Sequence, residues 1–258
     1  MNKSDLKSIS EELLSSFLEA GKVARSISVQ GIKIKIKSDK SPVTNGDLEV
    51  DKILTNKIKN LTPNIPIISE ENVDLKSENK NKTFWLIDPI DGTKDYIKKR
   101  DEYTLNAALV VDQKPALGVV YAPAKDRLFY SYGNELAFEI SKGIRTHLRG
   151  TKKNNAEIIG LANSDDTPNE ILEIYKKNKV SKIIKMSSSL KFCIIAAGEA
   201  DIYAAQARAF EWDIAAGHAI LEHSGGTVTT FEGKNFSYGK KNYRNLPIIA
   251  KRQENLQR

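Results

Sequence analysis

The sequence predicts a mixed α and β fold, of the α+β or α/β class, in two halves that join near residue 150. An amphipathic helix opens the chain, strand patterns joined by short turns fill most of residues 65–140, and strands alternate with helices after residue 152. We expect an antiparallel sheet in an N-terminal half, residues 1–150, and a smaller α/β arrangement in a C-terminal half, residues 151–258.

The first elements follow from hydrophobic periodicity. Apolar residues recur at three- and four-residue spacing over residues 6–27, which predicts a long amphipathic helix. Isoleucine then alternates with lysine over residues 32–37, the period of a half-buried strand. A polar loop is expected over residues 38–45.

A second helix is predicted over residues 46–59, with Thr44 or Asn45 as its N-cap and Pro63 beyond its end. Its apolar face is expected to comprise Leu48, Ile53, Leu54 and Ile58. The strand patterns that follow cover residues 65–69, 84–88, 105–111, 116–121, 128–132 and 136–140. Because the turns between the later strands are short, these strands predict an antiparallel meander.

The second half alternates between the two kinds of element. Strands are expected near Ile158, Ile183, Ile202, Val228 and Ile248. Helices are expected over residues 168–177, 189–198 and 215–224. This alternation is typical of an α/β unit.

Composition limits the classes of protein that fit. The chain has 258 residues, 40% hydrophobic and 28% charged, and no apolar run of the roughly 18 residues that a membrane helix needs. Without an apolar leader and with a single cysteine, Cys193, in an apolar stretch, we expect a cytoplasmic protein with a buried thiol. The net charge of +7 favours anionic partners, but aromatic residues do not interleave with the basic clusters, so no nucleic-acid partner is expected. Weak association with an anionic membrane surface stays open, as does the choice between monomer and homodimer.

The segment with most chemical information is Asp88-Pro89-Ile90-Asp91-Gly92-Thr93, which follows an apolar strand. Pro89 is expected to stop the strand and Gly92 to allow a tight turn, so that both carboxylates project at the strand end. Carboxylate oxygens suit a hard cation, and a helix that begins at Gly-Thr suits a phosphate. The alternative is an aspartate-rich turn that caps the next helix.

Two further acidic positions follow the same logic. Glu70 and Glu71 end the strand pattern of residues 65–69, and Asp213 follows Trp212 directly before a helix. Taken singly, an acidic pair is usually a solvated loop and an aspartate ahead of a helix is usually an N-cap. The combination with Asp88 and Asp91 indicates a metal site.

These segments resemble the inositol monophosphatase superfamily. Its pattern of paired glutamates, then D-P-[IL]-D-G-T, then W-D-x-A-A-G appears at residues 69–71, 88–93 and 212–217. The resemblance is closest to the 3'(2'),5'-bisphosphate nucleotidase (CysQ-type) branch and extends to residues 39–44, 94–98, 118–123, 187–193 and 215–219. It implies a layered αβαβα sandwich of the sugar-phosphatase type.

The resemblance also implies a set of metal ligands. Glu70, Asp88 and the backbone carbonyl of Ile90 are expected to hold one Mg²⁺. Asp88, Asp91 and Asp213 are expected to hold a second, and a third, weaker ion near Glu70 stays open. Four carboxylates alone would repel a phosphate ester, and two Mg²⁺ ions cancel their charge. Inhibition by Li⁺ is implied as well.

For catalysis, the resemblance implies that Asp47 and Thr93 position the attacking water. The alternative for Asp47 is a first-turn aspartate stabilised by the helix dipole. The substrate contacts that the resemblance and the residues together predict are Glu70, Asp91, Gly92, Thr93, Ser188, Lys191, Arg208 and Asp213.

The activity implied is Mg²⁺-dependent hydrolysis of the 3'-phosphate of adenosine 3',5'-bisphosphate to AMP and phosphate. An inositol monophosphatase or sugar-phosphate phosphatase is the alternative enzyme, and a catalytically silent member that binds a polyanion is a further alternative. Ser188 and Lys191 match a segment that helps to bind the second phosphate, unless Lys191 is simply an exposed lysine at a helix start. Relatives commonly carry arginine where this chain has Ala205, so either Arg208 replaces it or the nucleotide is held more weakly.

Overall fold

The computed structural model describes residues 1–37, 40–75, 81–150, 157–163 and 166–252. Asp39, in the segment 39–44 discussed above, lies outside these residues. The helices are α1 Lys3–Gln30, α2 Asn45–Leu61, α3 Thr93–Ile97, α4 Asn169–Lys177, α5 Leu190–Ala196 and α6 Glu211–His223. Within the described ranges, no helix is both long and apolar enough to cross a bilayer.

A seven-stranded sheet occupies the first half of the chain. Its strands are β3 Ile67–Ser69, β4 Phe84–Asp91, β5 Thr104–Val111, β6 Lys114–Ala122, β7 Arg127–Ser131, β8 Ala137–Ser141 and β9 Ile144–Leu148. They lie side by side in chain order, with β3 parallel to β4 and every later pair antiparallel. The predicted meander is confirmed, and β9 extends it by a strand that the sequence pattern did not indicate.

The second half forms a five-stranded sheet. Its strands are β10 Ile159–Ala162, β11 Lys182–Lys185, β12 Ile202–Ala205, β13 Thr227–Thr230 and β14 Ile248–Lys251. They lie in the order β11-β10-β12-β14-β13, in which the first three are parallel and β14 is antiparallel to both neighbours. The mixed fold class is confirmed. We keep the division into halves at residue 150 as a proposal.

The elements stack in five layers. Helices α1 and α2 cover one face of the seven-stranded sheet, where Phe17 and Leu54 pack with Trp85. Helices α5 and α6 lie between the two sheets, and α4 covers the outer face of the smaller sheet, where Tyr175 packs on Ile202. This is the αβαβα sandwich that the resemblance implied.

Close packing of α6 on the larger sheet depends on Gly118 in β6. A Cβ atom at this position would lie 2.4 Å from the carbonyl oxygen of Ala216 in α6, so any larger residue would push the helix away. Helix α6 therefore lies close to β5 and β6. Its N-terminus, which carries Asp213, reaches the end of the sheet where β4 carries Asp88 and Asp91.

The structure corrects three expectations near the N-terminus. Residues 34–36 form β1, but the strand is exposed rather than half-buried; within the described residues it pairs with β2, Pro42–Thr44, in a two-stranded hairpin, and the helices pack on β2 instead. That hairpin also replaces part of the expected polar loop over residues 38–45. Leu48 is exposed rather than part of the apolar face of α2, whereas Leu54 and Ile58 are fully buried. The N-cap of α2 is Thr44.

Candidate active site

Three carboxylates from distant parts of the chain meet at one edge of the larger sheet. Glu70 follows β3, Asp88 lies in β4, and Asp213 lies in the first turn of α6. One carboxylate oxygen from each lies within 4.8 Å of the others. Parallel pairing of β3 with β4 brings Glu70 and Asp88 together, because the carboxyl ends of parallel strands share an edge.

The structure corrects the expectation that Pro89 stops the strand, since β4 continues to Asp91. Asp88 pairs with Asn106 and Asp91 pairs with Thr104, so three steps along β4 face two steps along β5. This bulge accommodates Pro89, which has no N–H to donate to the ladder. In a regular strand, Asp88 and Asp91 would point to opposite faces, and the extra residue lets both line the same cleft.

The carboxylates differ in their hydrogen bonds. Asp91 accepts a bond from the backbone N–H of Ser189, and Asp213 accepts one of 2.8 Å from the N–H of Phe210. Within the described chain, Oδ1 of Asp88 is buried and has no hydrogen-bond partner. Buried oxygens are rarely left unpaired, and an orphaned carboxylate oxygen among other carboxylates is a fitting ligand for a hard cation. The residues present therefore fit Mg²⁺.

The pKa values of the cluster shift in the direction expected for crowded, buried acids. Burial raises the pKa of Asp88 well above its usual value, and the charges of Glu70, Asp91 and Asp213 raise it further. Burial raises the pKa of Asp91 to about 6, although Lys191 and the Ser189 N–H oppose the shift. The pKa of Asp213 is raised by burial, then by Asp91 and Glu70. A bound cation would relieve this repulsion.

Lys37 supplies a positive charge that the sequence did not identify as part of the site. Its ammonium donates to Oε1 of Glu70 over 3.1 Å and to Oε1 of Glu71 over 2.8 Å. Burial lowers the pKa of Lys37, but the two glutamates outweigh this effect and the net shift is upward. Burial raises the pKa of Glu71 to about 7 in spite of Lys37. The alternation of residues 32–37 indicated a strand and gave no sign of this contact.

Asp47 and Thr93 lie in contact beside the carboxylates. Asp47 is only 2% exposed, and its Oδ2 accepts bonds from the N–H and the hydroxyl of Thr44 in a capping box. The Thr93 hydroxyl lies 3.3 Å from Oδ1 of Asp47 and 3.1 Å from the carbonyl oxygen of Ile90. Asp47 therefore caps α2 and also faces Thr93. Burial raises its pKa.

Gly92 is the N-cap of α3, with φ of 94°, a left-handed conformation that favours glycine. A Cβ atom there would lie 3.2 Å from the carbonyl oxygen of Glu102. The tight turn predicted at Gly92 is thus present, and it places Thr93 at the first position of α3.

The carboxylates open into a cleft of about 500 Å³ that also contains the predicted substrate residues Gly92, Thr93, Ser188, Lys191 and Arg208. Lys191 is 4% exposed, so the alternative of a solvent-exposed lysine is wrong. Its ammonium donates to the carbonyl of Ser188 over 2.6 Å and lies 5.0 Å from the ring centroid of Tyr203. Burial lowers the pKa of Lys191 to about 8, against the attraction of Asp91.

Arg208 is exposed at the cleft, in the segment between β12 and α6. Ala205, at the end of β12, lines a smaller cavity of about 100 Å³ that Arg208 also lines. Arg208 thus lies three residues beyond Ala205, on the connecting segment rather than on the strand.

Asn106 and Ser189 are buried beside the site and were not among the predicted site residues. The hydroxyl of Ser189 donates to Oδ1 of Asn106 over 2.8 Å, and Asn106 is the strand partner of Asp88. The register of β4 against β5 would have placed Asn106 beside Asp88, but periodicity alone does not fix a register.

The chain matches the inositol monophosphatase family over residues 5–257. It is 39% identical over 209 residues to the 3'(2'),5'-bisphosphate nucleotidase CysQ of Buchnera aphidicola, covering 80% of this chain and 78% of that protein. The crystal structure of CysQ from Bacteroides thetaiotaomicron, a bacterial member of the inositol monophosphatase family, superposes with a TM-score of 0.78 at 28% identity. That alignment covers 96% of this chain and 98% of the other.

An IMPase/NADP phosphatase crystallised with Mg²⁺ and phosphate shares the fold, with a TM-score of 0.78 at 20% identity. The alignment covers 96% of this chain and 92% of that one.

Proposed function

Because this chain belongs to the inositol monophosphatase family, we propose that it hydrolyses the 3'-phosphate of adenosine 3',5'-bisphosphate in a Mg²⁺-dependent reaction that yields AMP and phosphate. The observation that carries the proposal is the meeting of Glu70, Asp88 and Asp213 next to the start of α3. The names of the relatives at 30–39% identity support the choice of substrate.

The carboxylates of Glu70, Asp88, Asp91 and Asp213 and the carbonyl of Ile90 would hold two Mg²⁺ ions, with a third as an option. When bound, Mg²⁺ would neutralise these carboxylates, polarise the phosphoryl oxygens and stabilise the charge on the leaving oxygen. By holding Mg²⁺ at one edge of the cleft, the carboxylates would orient the ester with its phosphate towards that edge. Without the cations they would repel the dianionic substrate.

Asp47 and Thr93 would direct the attacking water. When the Thr93 hydroxyl donates to Asp47, its lone pairs are left to accept a hydrogen bond from water. Asp47 holds this hydroxyl in place and can receive a proton, because burial raises its pKa. Gly92 and Thr93 would hold the scissile phosphate at the start of α3.

The second phosphate would be recognised by Ser188, Lys191 and Arg208, which line the same cleft. A monophosphate has no group to meet these residues, so they favour a bisphosphate over inositol monophosphate or a sugar monophosphate. The remaining parts of the proposal are a cytoplasmic location, a monomer or homodimer, and at most weak contact with an anionic membrane surface.

The experiment that tests the function measures phosphate release from adenosine 3',5'-bisphosphate, inositol 1-phosphate and fructose 1,6-bisphosphate, with Mg²⁺ and with EDTA. We expect Mg²⁺-dependent release that is fastest for the adenosine ester. Asp91→Asn should abolish release while the circular dichroism spectrum is unchanged. Faster release from inositol 1-phosphate, or full activity of Asp91→Asn, would contradict the proposal.

A further inference from the structure

The segment that carries Arg208 is held in place by a second segment from the C-terminal part of the chain. We call residues 239–245 the strap. Its first residues are fixed by Glu211, a fully buried carboxylate that accepts bonds from the N–H groups of Gly239 over 2.8 Å and Lys240 over 2.9 Å. At its other end, Asn245 donates its N–H to the carbonyl of Ala209 over 3.0 Å.

Arg244 shares the strap's contacts with the cleft-lining residues with Asn245, whose side-chain amide donates to the carbonyl of Phe210 over 2.6 Å. Nη1 of Arg244 donates to the backbone carbonyl of Arg208 over 2.8 Å, and its guanidinium carbon lies 3.7 Å from the ring centroid of Phe210. Phe210 also stacks on Trp212, with centroids 4.5 Å apart and ring planes 14° apart. One side chain thus fixes both the backbone of Arg208 and the ring of Phe210, and both of these residues line the cleft.

This support matters because the arginine at the cleft, Arg208, lies on a connecting segment. A side chain on β12 would be held in place by the hydrogen bonds of the sheet. Residue 205, the last of β12, is alanine, so the arginine that can meet the second phosphate is Arg208, on the connecting segment. A cation on a connecting segment loses more conformational freedom when it binds a phosphate, unless other contacts have ordered its backbone. A planar guanidinium that donates to a carbonyl and stacks on a ring is well suited to this task.

We propose that Arg244 is a positioning residue for substrate selection, which orders residues 208–210 so that Arg208 meets the second phosphate of the substrate. The inference rests on the proposed function. It predicts that Arg244 acts on the binding of bisphosphates through Arg208, because Arg244 holds the Arg208 carbonyl and the Phe210 ring. The charge of Arg244 also opposes the upward shift in the pKa of Asp213, but that effect reaches both substrates alike and does not select between them.

The test compares Arg244→Met with the unaltered enzyme, using adenosine 3',5'-bisphosphate and 3'-AMP. Methionine keeps apolar contact with Phe210 but cannot donate to the Arg208 carbonyl. We expect KM for the bisphosphate to rise about five- to tenfold, while kcat and the KM for 3'-AMP stay within twofold. Arg244→Gln, which keeps a donor without the charge, should recover part of the loss. The matched control is Lys241→Met, an exposed cation on the same strap, which should leave both substrates unaffected.

A double-mutant cycle with Arg208→Ala separates positioning from general structural damage. If Arg244 acts through Arg208, Arg244→Met should add less than twofold to KM in the Arg208→Ala background. Additive losses, equal losses on both substrates, or no loss for a folded variant would overturn the inference while the proposed function stands. Should Arg244→Met fail to fold, Arg244→Gln is measured in the same cycle with the same criteria. No phosphate release from the bisphosphate by the unaltered enzyme would overturn both.

Discussion

The ammonium of Lys37 lies 3.1 Å from Oε1 of Glu70, so the β1–β2 hairpin places a cation on one of the carboxylates proposed to hold Mg²⁺. Both side chains are partly exposed, at 22% and 27%, so solvent screens the pair only in part. A metal ion that binds Glu70 must therefore compete with this ammonium.

Lys37→Met should strengthen Mg²⁺ binding. Loss of the competing ion pair is worth about 1 kcal/mol for a partly exposed pair, which corresponds to about a fivefold lower Kd. Isothermal titration calorimetry of the substrate-free protein with MgCl₂ measures the Kd for Mg²⁺. Lys35→Met, which removes an exposed lysine of β1 two residues before Lys37, is the control and should change nothing. Unchanged or weaker Mg²⁺ binding by Lys37→Met would show that the lysine does not compete with the metal.

Asp47→Asn should lower kcat at least a hundredfold and leave KM and Mg²⁺ affinity nearly unchanged. Asparagine keeps an oxygen that can accept from Thr44, so α2 stays capped, but it cannot take a proton at the position that faces Thr93. Steady-state kinetics with a thermal melt separates the two roles. Glu49→Gln, an exposed acid on the same helix, should keep full activity. A kcat within threefold of the unaltered value in Asp47→Asn would remove Asp47 from the catalytic pair.

In the absence of metal, the free energy of unfolding should fall as pH rises from about 4 to about 7. Burial raises the pKa of Asp91 to about 6 and that of Glu71 to about 7, above their ordinary values of 3.8 and 4.5. Between these limits the carboxyls of Asp91 and Glu71 hold more protons in the folded state than in the unfolded state, so their deprotonation destabilises the fold. Burial lowers the pKa of His223 to about 4, which acts in the opposite direction, but the raised pKa values of Asp88 and Asp213 add to the effect of the carboxyls and outweigh it.

Urea unfolding in EDTA across this pH range measures the effect. Mg²⁺ should restore stability at pH 7, since it binds the deprotonated carboxylates of the folded state. Asp88→Asn should reduce the slope, because it removes one charge from the cluster. Stability in EDTA that is flat or rises over this range would contradict the account of the cluster.

Lys191→Met should weaken the binding of a bisphosphate without a matching effect on a monophosphate. A charge-assisted hydrogen bond to phosphate contributes about 1.5–3 kcal/mol, so kcat/KM for adenosine 3',5'-bisphosphate should drop about ten- to a hundredfold. Methionine has a similar length and leaves a smaller cavity than alanine at this buried position. Parallel assays with 3'-AMP are decisive. Equal losses on both esters would show that Lys191 supports the fold of the site rather than the second phosphate.

The sequence predicted those features that depend on short-range pattern. Apolar spacing located α1, and the succession of strands and turns predicted the meander of the larger sheet. The motif around Asp88 and Asp91 indicated the metal site, because hard oxygen ligands after a buried strand are unusual without a cation. In each case the evidence is a pattern within one continuous stretch of the chain.

Features set by contacts between distant residues were not predictable in this way. The alternation of Ile34 and Ile36 with lysines has the period of a half-buried strand, but in the structure both isoleucines are exposed, because β1 forms the outer strand of the hairpin and the helices pack on β2. Pro89 was expected to end β4, because proline cannot donate to the strand ladder. The bulge that accommodates it depends on the pairing with β5, which the sequence alone does not show. The contacts of Lys37 with Glu70 and of Arg244 with Arg208 join residues more than 30 positions apart.

The most direct test of the proposed function identifies which phosphate leaves. Adenosine 3',5'-bisphosphate is incubated with the enzyme and Mg²⁺, and the nucleotide product is separated by chromatography and quantified beside inorganic phosphate. The account predicts 5'-AMP and phosphate in equal amounts, with none formed in EDTA or by Asp91→Asn. Formation of 3'-AMP, or release that persists without Mg²⁺, would contradict it.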